Sequence, residues 1–244
     1  MTRTLALAVV TDVSNLVLEG SIAEAETSLM VLADREGDLI LSEVIAAMPP
    51  RDTVAILREY DTGKGSVIAS LITPQQFLAA VVLEAKYNEP NNQRLVGMID
   101  SVVLKGESDP DDFIDVLGAS DGGLLALADY FSDRHEEIEQ FFLNGDFPAF
   151  SEDHIDLDLL SDHDLLDGEM GADLYQPRIE LDEVAGQDWK ELAWRLRCDH
   201  YEVFCDVLRI LRGRLRSALE KSAVASARKA AHETDDEDDE DSVL

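Results

Sequence analysis

The sequence predicts an all-α protein in which short helices stack side by side and one long helix closes the chain. Three observations lead to this fold class. Apolar residues recur at helical spacing in several separate segments, strand-like alternation is nowhere sustained, and prolines stand where new helices would begin. With 244 residues, of which 45% are hydrophobic, the chain can bury the core of one large domain or two small ones.

Residues 1–150 are expected to form the helical body, beginning with the segment MTRTLALAVVTD. Apolar residues follow one another from position 5 to position 10, but the segment has one arginine and no small-x-small cleavage site before Asp12. We therefore interpret it as a buried first helix or strand rather than a secretory signal.

Two prolines interrupt an apolar, helix-like pattern in LSEVIAAMPPRDTVAILREYD, residues 41–61. Before the prolines, the i, i+3, i+4, i+7 spacing that lines one helix face is followed by Leu41, Val44, Ile45 and Met48. Pro49 and Pro50 cannot continue this helix, because proline lacks the backbone donor and clashes with the preceding turn, but Pro50 can begin the next one. The pair predicts a sharp corner between two helices.

Further helix starts have recognisable capping chemistry. Thr73-Pro74-Gln75-Gln76 is a capping box with proline at the first helical position, and Asp109-Pro110-Asp111-Asp112 is a second start with carboxylates near the positive end of the helix dipole. Two more helices are expected around residues 124–131 and 138–142. Such short amphipathic helices cannot bury their apolar faces alone, so they must stack as in helical-repeat proteins, although no regular repeat period is visible.

The last hundred residues divide into three parts. Residues 151–187 are dense in Asp and Gly and are interpreted as an acidic connector with one short turn. Residues 188–231 contain no proline and one glycine, Gly213, and predict one long helix. Between Lys190 and Lys229 it carries ten of the 20 Lys and Arg residues against five acids. Residues 232–244 are expected to be a disordered acidic tail.

Charge narrows the classes of partner. Fifty-two acids against 20 bases give a net charge of -32, and only eight of those acids lie in the tail, between Glu233 and Asp241. Binding nucleic acid requires cationic groups that displace counterions, so a nucleic-acid partner is disfavoured.

The sequence also bears on location. It contains no run of eighteen apolar residues, which a membrane-spanning helix would need. Cys198 and Cys205 are about 10 Å apart along a helix, too far for a disulfide within it, which favours a reducing, cytoplasmic location.

The segment LSEVIAAMPPRDTVAILREYDTGKGSVIASLITPQQFLAAVV, within residues 41–87, resembles the cytoplasmic N-terminal domain of the bacterial magnesium channel MgtE and the armadillo-like layers of the flagellar switch protein FliG. It is also similar to uncharacterised bacterial helical-repeat proteins. The shared features are a short helix, a proline corner, a second helix and a TP-x-Q start. The resemblance implies a right-handed superhelix used for docking a partner or for regulatory cation binding, with no catalytic residues. The channel's α/β modules and membrane helices are missing, so transport is excluded.

The acidic connector supplies candidate ligands for Mg²⁺ or Ca²⁺, which prefer carboxylate oxygens. The candidate residues are Asp153, Asp156, Asp158, Asp162, Asp164 and Asp167. Their spacing departs from the calcium-loop pattern, because Leu166 stands where the third ligand belongs. The alternative is a solvated acidic loop that lies against the basic C-terminal helix.

Two further sequence patterns resemble catalytic motifs, but their surroundings do not support catalysis. GASDG, from Gly118 to Gly122, fits the nucleophile-elbow pattern G-x-S-x-G, but that elbow needs a preceding strand and this one follows a helix start. Ser120 or Asp121 is better explained as a helix N-cap. Cys198 and His200 are two residues apart and would point to different sides of a helix, so they do not predict a thiolate pair.

The sequence thus predicts a non-enzymatic, protein-binding adaptor or regulatory subunit from the bacterial cytoplasm, without a cofactor. Its partner would be another protein, with basic proteins among the candidates, and a homodimer is compatible with the long C-terminal helix. The alternative is a Mg²⁺- or Ca²⁺-responsive regulator that uses the acidic connector.

Overall fold

The computed structural model describes residues 3–58, 67–87, 92–106, 108–147, 178–186 and 188–237. These residues form helices and turns, with no β-strand among them, which confirms the predicted all-α class. The α-helices of this part of the chain are α1 Arg3–Leu18, α2 Ile22–Glu36, α3 Asp38–Ala47, α4 Pro50–Arg58, α5 Val67–Leu71, α6 Pro74–Tyr87, α7 Gln93–Ile99, α8 Pro110–Gly118, α9 Asp121–Tyr130, α10 His135–Asn144, α11 Leu181–Val184, α12 Trp189–Cys198 and α13 Tyr201–Glu237.

The proline-marked starts lie where the sequence predicts them. Pro50 begins α4, and the backbone turns at the extended residue Met48. Before α6, the Gln76 side chain accepts a hydrogen bond from the Thr73 N–H at 3.3 Å, and the Thr73 hydroxyl accepts one from the Gln76 N–H at 3.4 Å. The Gln76 amide also donates to the carbonyl of Ile45, so the capping residue fixes α6 against the end of α3.

The helices pack in a chain of neighbours. Helices α1, α2 and α3 contact one another, α4 lies on α6, α6 contacts α8 and α9, and α9 contacts α13. Large aromatic side chains fill the core, among them the fully buried Phe77, Phe113, Phe131, Phe141, Phe147 and Phe204. Stacked rings 4.2 Å apart join Phe141 of α10 to Phe147, and an edge-to-face contact of 5.5 Å joins Phe77 of α6 to Phe113 of α8.

A π-helical turn, Asp100–Leu104, follows α7 directly. The N–H of Lys105 donates to the Asp100 carbonyl at 3.0 Å, which is the five-residue spacing of a π-helix. Burial extends along this turn through Asp100, Ser101, Val102 and Val103. The turn therefore places the carboxyl group of Asp100 inside the protein.

The glycines of the GASDG segment are explained by helix packing. A Cβ atom at Gly118 would lie 2.3 Å from the Val203 side chain of α13, and one at Gly122 would lie 2.8 Å from the Val82 side chain of α6. Both glycines thus allow a neighbouring helix to approach closely.

We expect Gly118→Ala to lower the free energy of unfolding by about 1 kcal/mol, because the new methyl group forces Val203 out of its position. Gly97 of α7 provides the matched control, since a Cβ there meets nothing within 4 Å and alanine should raise stability by about 0.5 to 1 kcal/mol. Urea unfolding of both variants measures the difference. An equal gain in both would contradict the close contact between α8 and α13.

The long helix predicted over residues 188–231 is corrected to two helices. Helix α12 ends at Cys198, and α13 begins at Tyr201. At the corner, the His200 ring lies between two carboxylates of α8, with Nε2 3.1 Å from Asp111 and Nδ1 3.0 Å from Asp115. This long-range contact stabilises a break that no proline or glycine marks in the sequence.

Two other predicted boundaries also change. The end of the predicted acidic connector belongs to the packed body, since Ile179 and Val184 are buried and the indole of Trp194 donates to the Ile179 carbonyl at 2.8 Å. The backbone of α13 remains helical to Glu237, inside the segment predicted to be disordered from residue 232. The sequence after Gly213 has no glycine or proline as far as Glu237, so nothing in it ends the helix earlier.

None of the helices in the described ranges combines the length and the hydrophobicity that a membrane crossing requires.

Candidate functional site: two docking surfaces

The six candidate metal ligands Asp153, Asp156, Asp158, Asp162, Asp164 and Asp167 lie outside the described residues. Within the residues that are described, no group of three or more His, Cys, Asp or Glu side chains is arranged to hold a metal ion. The hypothesis of a cation site in the acidic connector, residues 151–187, therefore stays a prediction.

Ser120 caps a helix. It precedes α9 in an extended conformation, and its hydroxyl oxygen accepts a hydrogen bond from the Gly123 N–H at 3.0 Å. The residues before it form α8, so the strand that a nucleophile elbow requires is replaced by a helix. The predicted N-cap role of Ser120 is confirmed.

The cysteine and histidine at the α12–α13 corner have structural surroundings. Burial raises the pKa of Cys198 to about 11, so its thiol is protonated at neutral pH and is a poor nucleophile. His200 is 9% exposed and is held by the two α8 carboxylates. Both residues contribute to packing, as the sequence suggested.

The first candidate docking surface is a groove between α1 and α2, which we call the N-terminal groove. It encloses about 260 Å³ and has an apolar lining with polar residues at its edges. Its lining residues are Val9, Asp12, Val13, Ser28, Val31, Leu32, Arg35 and Glu36. The surface thus combines apolar side chains with two carboxylates, of Asp12 and Glu36, and one guanidinium group, of Arg35.

Exposed apolar side chains are frequent on the first three helices. Of the large hydrophobic side chains that are exposed in the described residues, half belong to α1, α2 and α3, namely Leu7, Leu18, Met30, Val31 and Leu39. The same region, residues 3–47, contains eight acids and two arginines. Apolar side chains next to carboxylates suit a partner with an apolar face and basic flanks.

The groove rests on a fixed base. Val13 of α1 and Ala25 and Leu29 of α2 are completely buried beneath it. The Ser14 hydroxyl of α1 donates to the buried carboxylate of Asp52 in α4 at 2.5 Å. These contacts hold α1 in position, so the groove is a preformed feature of the fold.

The second candidate surface is the distal part of α13. Its first half packs on the body through the buried residues Phe204, Val207, Leu208 and Leu211. From Gly213 to Ser226 every residue is exposed. We call residues 213–226 the exposed part of α13.

Basic residues gather where α13 leaves the body. Arg214 forms an ion pair of 2.7 Å with Asp129 of α9, and Arg209 pairs with Asp206 one turn earlier on the same helix. Beside them, a cleft of about 550 Å³ runs along α13 and includes Leu125 of α9, Gly213 and Lys221. The cleft is therefore basic and partly apolar, in contrast to the acidic N-terminal region.

The sequence contained one signal for the N-terminal groove. Leu29-Met30-Val31-Leu32 are four consecutive apolar residues in α2, and one helix face cannot bury all four. Leu29 and Leu32 face the core, whereas Met30 and Val31 are each 48% exposed. Such a run predicts a second apolar face, although it does not say what covers it.

Comparison with known proteins finds no family model, no curated protein and no solved structure that matches this chain.

Proposed function

We propose that this protein is a non-enzymatic adaptor that docks another protein in the N-terminal groove. The observation that carries the proposal is the preformed, mainly apolar groove between α1 and α2, whose charged lining residues are Asp12, Glu36 and Arg35. Exposed apolar side chains also occur on α1, α2 and α3, and one of them, Val31, lines the groove. The partner would be a basic, amphipathic helix.

The chemistry of the groove favours this partner. Apolar residues spaced three and four apart on an incoming helix would cover Val9 and Val31, whereas its lysines or arginines would face Asp12 and Glu36. The region around the groove has six more acids than bases, so an acidic helix would be repelled.

Two further observations support a role in binding rather than catalysis. The serine of the G-x-S-x-G pattern is a helix cap, and the Cys198 thiol has a raised pKa. The resemblance to the helical domains of MgtE and FliG also favours binding, because that architecture serves to dock partners. The resemblance itself remains a prediction. The cation-responsive alternative depends on residues 151–187 and also remains a prediction.

The first test uses a synthetic amphipathic helix with one leucine face and one lysine face. We expect the full chain to bind it, and we expect Val31→Arg to weaken binding about tenfold, because the new cation lies in the groove and repels the lysines. Fluorescence anisotropy at several salt concentrations measures the dissociation constant.

Leu39→Arg is the matched control for this test. Leu39 is 77% exposed in α3 and does not line the groove, so the variant makes the same change of charge nearby and should alter binding less than about twofold. Equal weakening in both variants would mean that the peptide responds to the overall acidity, which contradicts a defined docking site.

The natural partner can then be sought by affinity capture from the source cell. A true partner should be recovered by the wild-type chain and by Leu39→Arg but lost with Val31→Arg, both with and without Mg²⁺. Recovery that requires Mg²⁺ and ignores Val31→Arg would favour the cation-responsive regulator instead.

A further inference from the structure

Arg35 is the only base among the described residues that line the N-terminal groove. Among the arginines whose side chains the structure describes, only Arg35 and Arg94 lack an ion pair, a hydrogen bond or a ring contact. The arginines that have such a partner are Arg51, Arg58, Arg134, Arg178, Arg195, Arg197, Arg209, Arg212, Arg214 and Arg216. An unpaired guanidinium group beside apolar side chains is therefore unusual in this part of the chain.

The position of Arg35 on α2 explains why it has no partner. Side chains three and four residues apart meet on a helix surface, and Leu32 and Val31 occupy those two positions before Arg35. Glu36 is adjacent to Arg35 in sequence, and adjacent residues of a helix do not face each other. The helix ends there, because the backbone turns at Gly37 with a φ of 84°. Helix α2 thus has no acid at the positions that face Arg35.

Asp12 lies toward the other end of the groove from Arg35. Only three residues join α1 to α2, so the two helices run antiparallel, which places Asp12 about level with Ser28 and Val9 about level with Val31. Ser28 and Arg35 are seven residues apart, which is about 10 Å along the axis of α2. The groove therefore presents a carboxylate, an apolar stretch and a guanidinium group in order along its length.

This order of charges restricts the partner helix more closely than the overall acidity of the region does. With a base of the partner level with Asp12, apolar residues three and four positions along would cover Val9 and Val31, and the residue seven positions along would lie level with Arg35. A second base at that position would be repelled by the guanidinium group, whereas a carboxylate would pair with it. Glu36 lies at the same end and suits a further base at the edge of the groove.

We propose that Arg35 determines which helices the N-terminal groove accepts, by pairing with one acidic side chain on a partner helix that is otherwise basic. Counted from the Asp12 end, the partner has the pattern base-x-x-apolar-apolar-x-x-acid. This inference rests on the proposed adaptor function, since it concerns the same groove. It makes Arg35 a specificity residue, because a helix that carries only bases leaves Arg35 unpaired and places a like charge beside it.

The test compares two helical peptides of identical composition. Both contain the base and the two leucines of the pattern. The facing peptide has its glutamate at the seventh position, and the shifted peptide has it two positions earlier, about 200° around the helix, so that the carboxylate points away from the groove. Fluorescence anisotropy at about 0.05 M salt measures the dissociation constants with the full chain. We expect the facing peptide to bind about threefold more tightly, as one exposed ion pair allows.

Variants of the chain assign the preference to Arg35. Arg35→Gln should abolish the difference between the two peptides, and Arg35→Glu should reverse it, because the facing carboxylate then meets a like charge. Arg94→Glu is the matched control, since Arg94 is the other exposed arginine without a partner and lies on α7, outside the lining of the groove. It changes the net charge as Arg35→Glu does and should keep the wild-type ratio.

The outcomes separate this inference from the adaptor function on which it rests. Equal binding of the two peptides by the wild-type chain would overturn the role of Arg35 and leave the docking groove intact. A preference that persists in Arg35→Glu would overturn it too, because another group would then recognise the carboxylate. If neither peptide binds, the proposed adaptor function fails, and the role of Arg35 fails with it. Circular dichroism checks that each variant remains helical.

Discussion

Replacing Arg58 with alanine is expected to lower the free energy of unfolding by about 3 kcal/mol or more. Glu84 lies in the last turn of α6 and is 1% exposed, and its Oε2 atom is 2.6 Å from Nε of Arg58 at the end of α4. Among the described residues, neither carboxylate oxygen of Glu84 has a hydrogen bond of good geometry, so the ion pair with Arg58 supplies the compensation for its charge. Without Arg58, a buried carboxylate is left unpaired. Urea denaturation measures the loss.

A double variant tests whether the buried charge is the cause. Arg58→Met/Glu84→Leu removes both partners and replaces them with apolar groups of similar volume, so most of the lost stability should return. Asp206→Ala is the comparison at the surface, because Asp206 and Arg209 are both nearly half exposed and their pair should be worth less than about 1 kcal/mol. If Arg58→Ala costs no more than Asp206→Ala, Glu84 is compensated by something other than Arg58.

The helix starts could be predicted because their chemistry is local. The capping box of α6 joins Thr73 to Gln76, three residues away, and the Asp109 side chain accepts from the N–H of Asp111 at 3.1 Å. Residue types at fixed short spacing determine such contacts, so a single sequence is enough to place them.

The corner between α12 and α13 could not be predicted for the opposite reason. It has no proline or glycine, and the contact that stabilises it joins His200 to Asp111 across 89 residues of sequence. The apolar spacing on either side is compatible with one continuous helix, and only the position of α8 decides against it. The π-helical turn at Asp100 could not be predicted either, because its burial depends on α9.

The two candidate docking surfaces also differ in how far the sequence predicts them. The basic character of α13 is visible in the sequence, because charge is a property of residue type. The N-terminal groove is not visible in the sequence. The run from Leu29 to Leu32 shows only that some apolar residues of α2 remain exposed. The other wall of the groove is formed by Val9 and Val13 of α1, and no sequence pattern connects the two helices. Tertiary packing between separate helices creates that cavity.

The buried carboxyl group of Asp100 makes the stability of this protein depend on pH in an unusual direction. The Tyr130 hydroxyl donates to Oδ1 of Asp100 at 2.6 Å, while Asp188 and Lys105, themselves paired at 3.3 Å, are the other charges that act on this group. Burial raises the pKa of Asp100 from 3.8 to about 6, because the charged form loses its hydration, and Asp188 adds to this rise. The hydrogen bond from Tyr130 and the charge of Lys105 only partly offset it.

A raised pKa in the folded state means that folded Asp100 binds a proton more tightly than unfolded Asp100 does. Above pH 6 the ionised carboxylate therefore costs the folded state about 2 kcal/mol or more, and this cost disappears as the pH falls from about 6 toward 3.8. Asp100→Asn removes the charge and keeps an acceptor for Tyr130. We expect the variant to be about 2 kcal/mol more stable than the wild-type chain at pH 7.5 and equally stable near pH 4.

The measurement is the difference in unfolding free energy between the two chains at each pH, so that the contributions of the other acids cancel. Tyr130→Phe is the companion variant: it removes the donor from the charged carboxylate and should destabilise the protein more at pH 7.5 than at pH 5. A difference between wild type and Asp100→Asn that stays constant from pH 4 to pH 7.5 would show that the substitution acts through packing. A variant less stable than wild type at pH 7.5 would show that the ionised carboxylate, paired with Tyr130 and near Lys105, is favoured in the folded state.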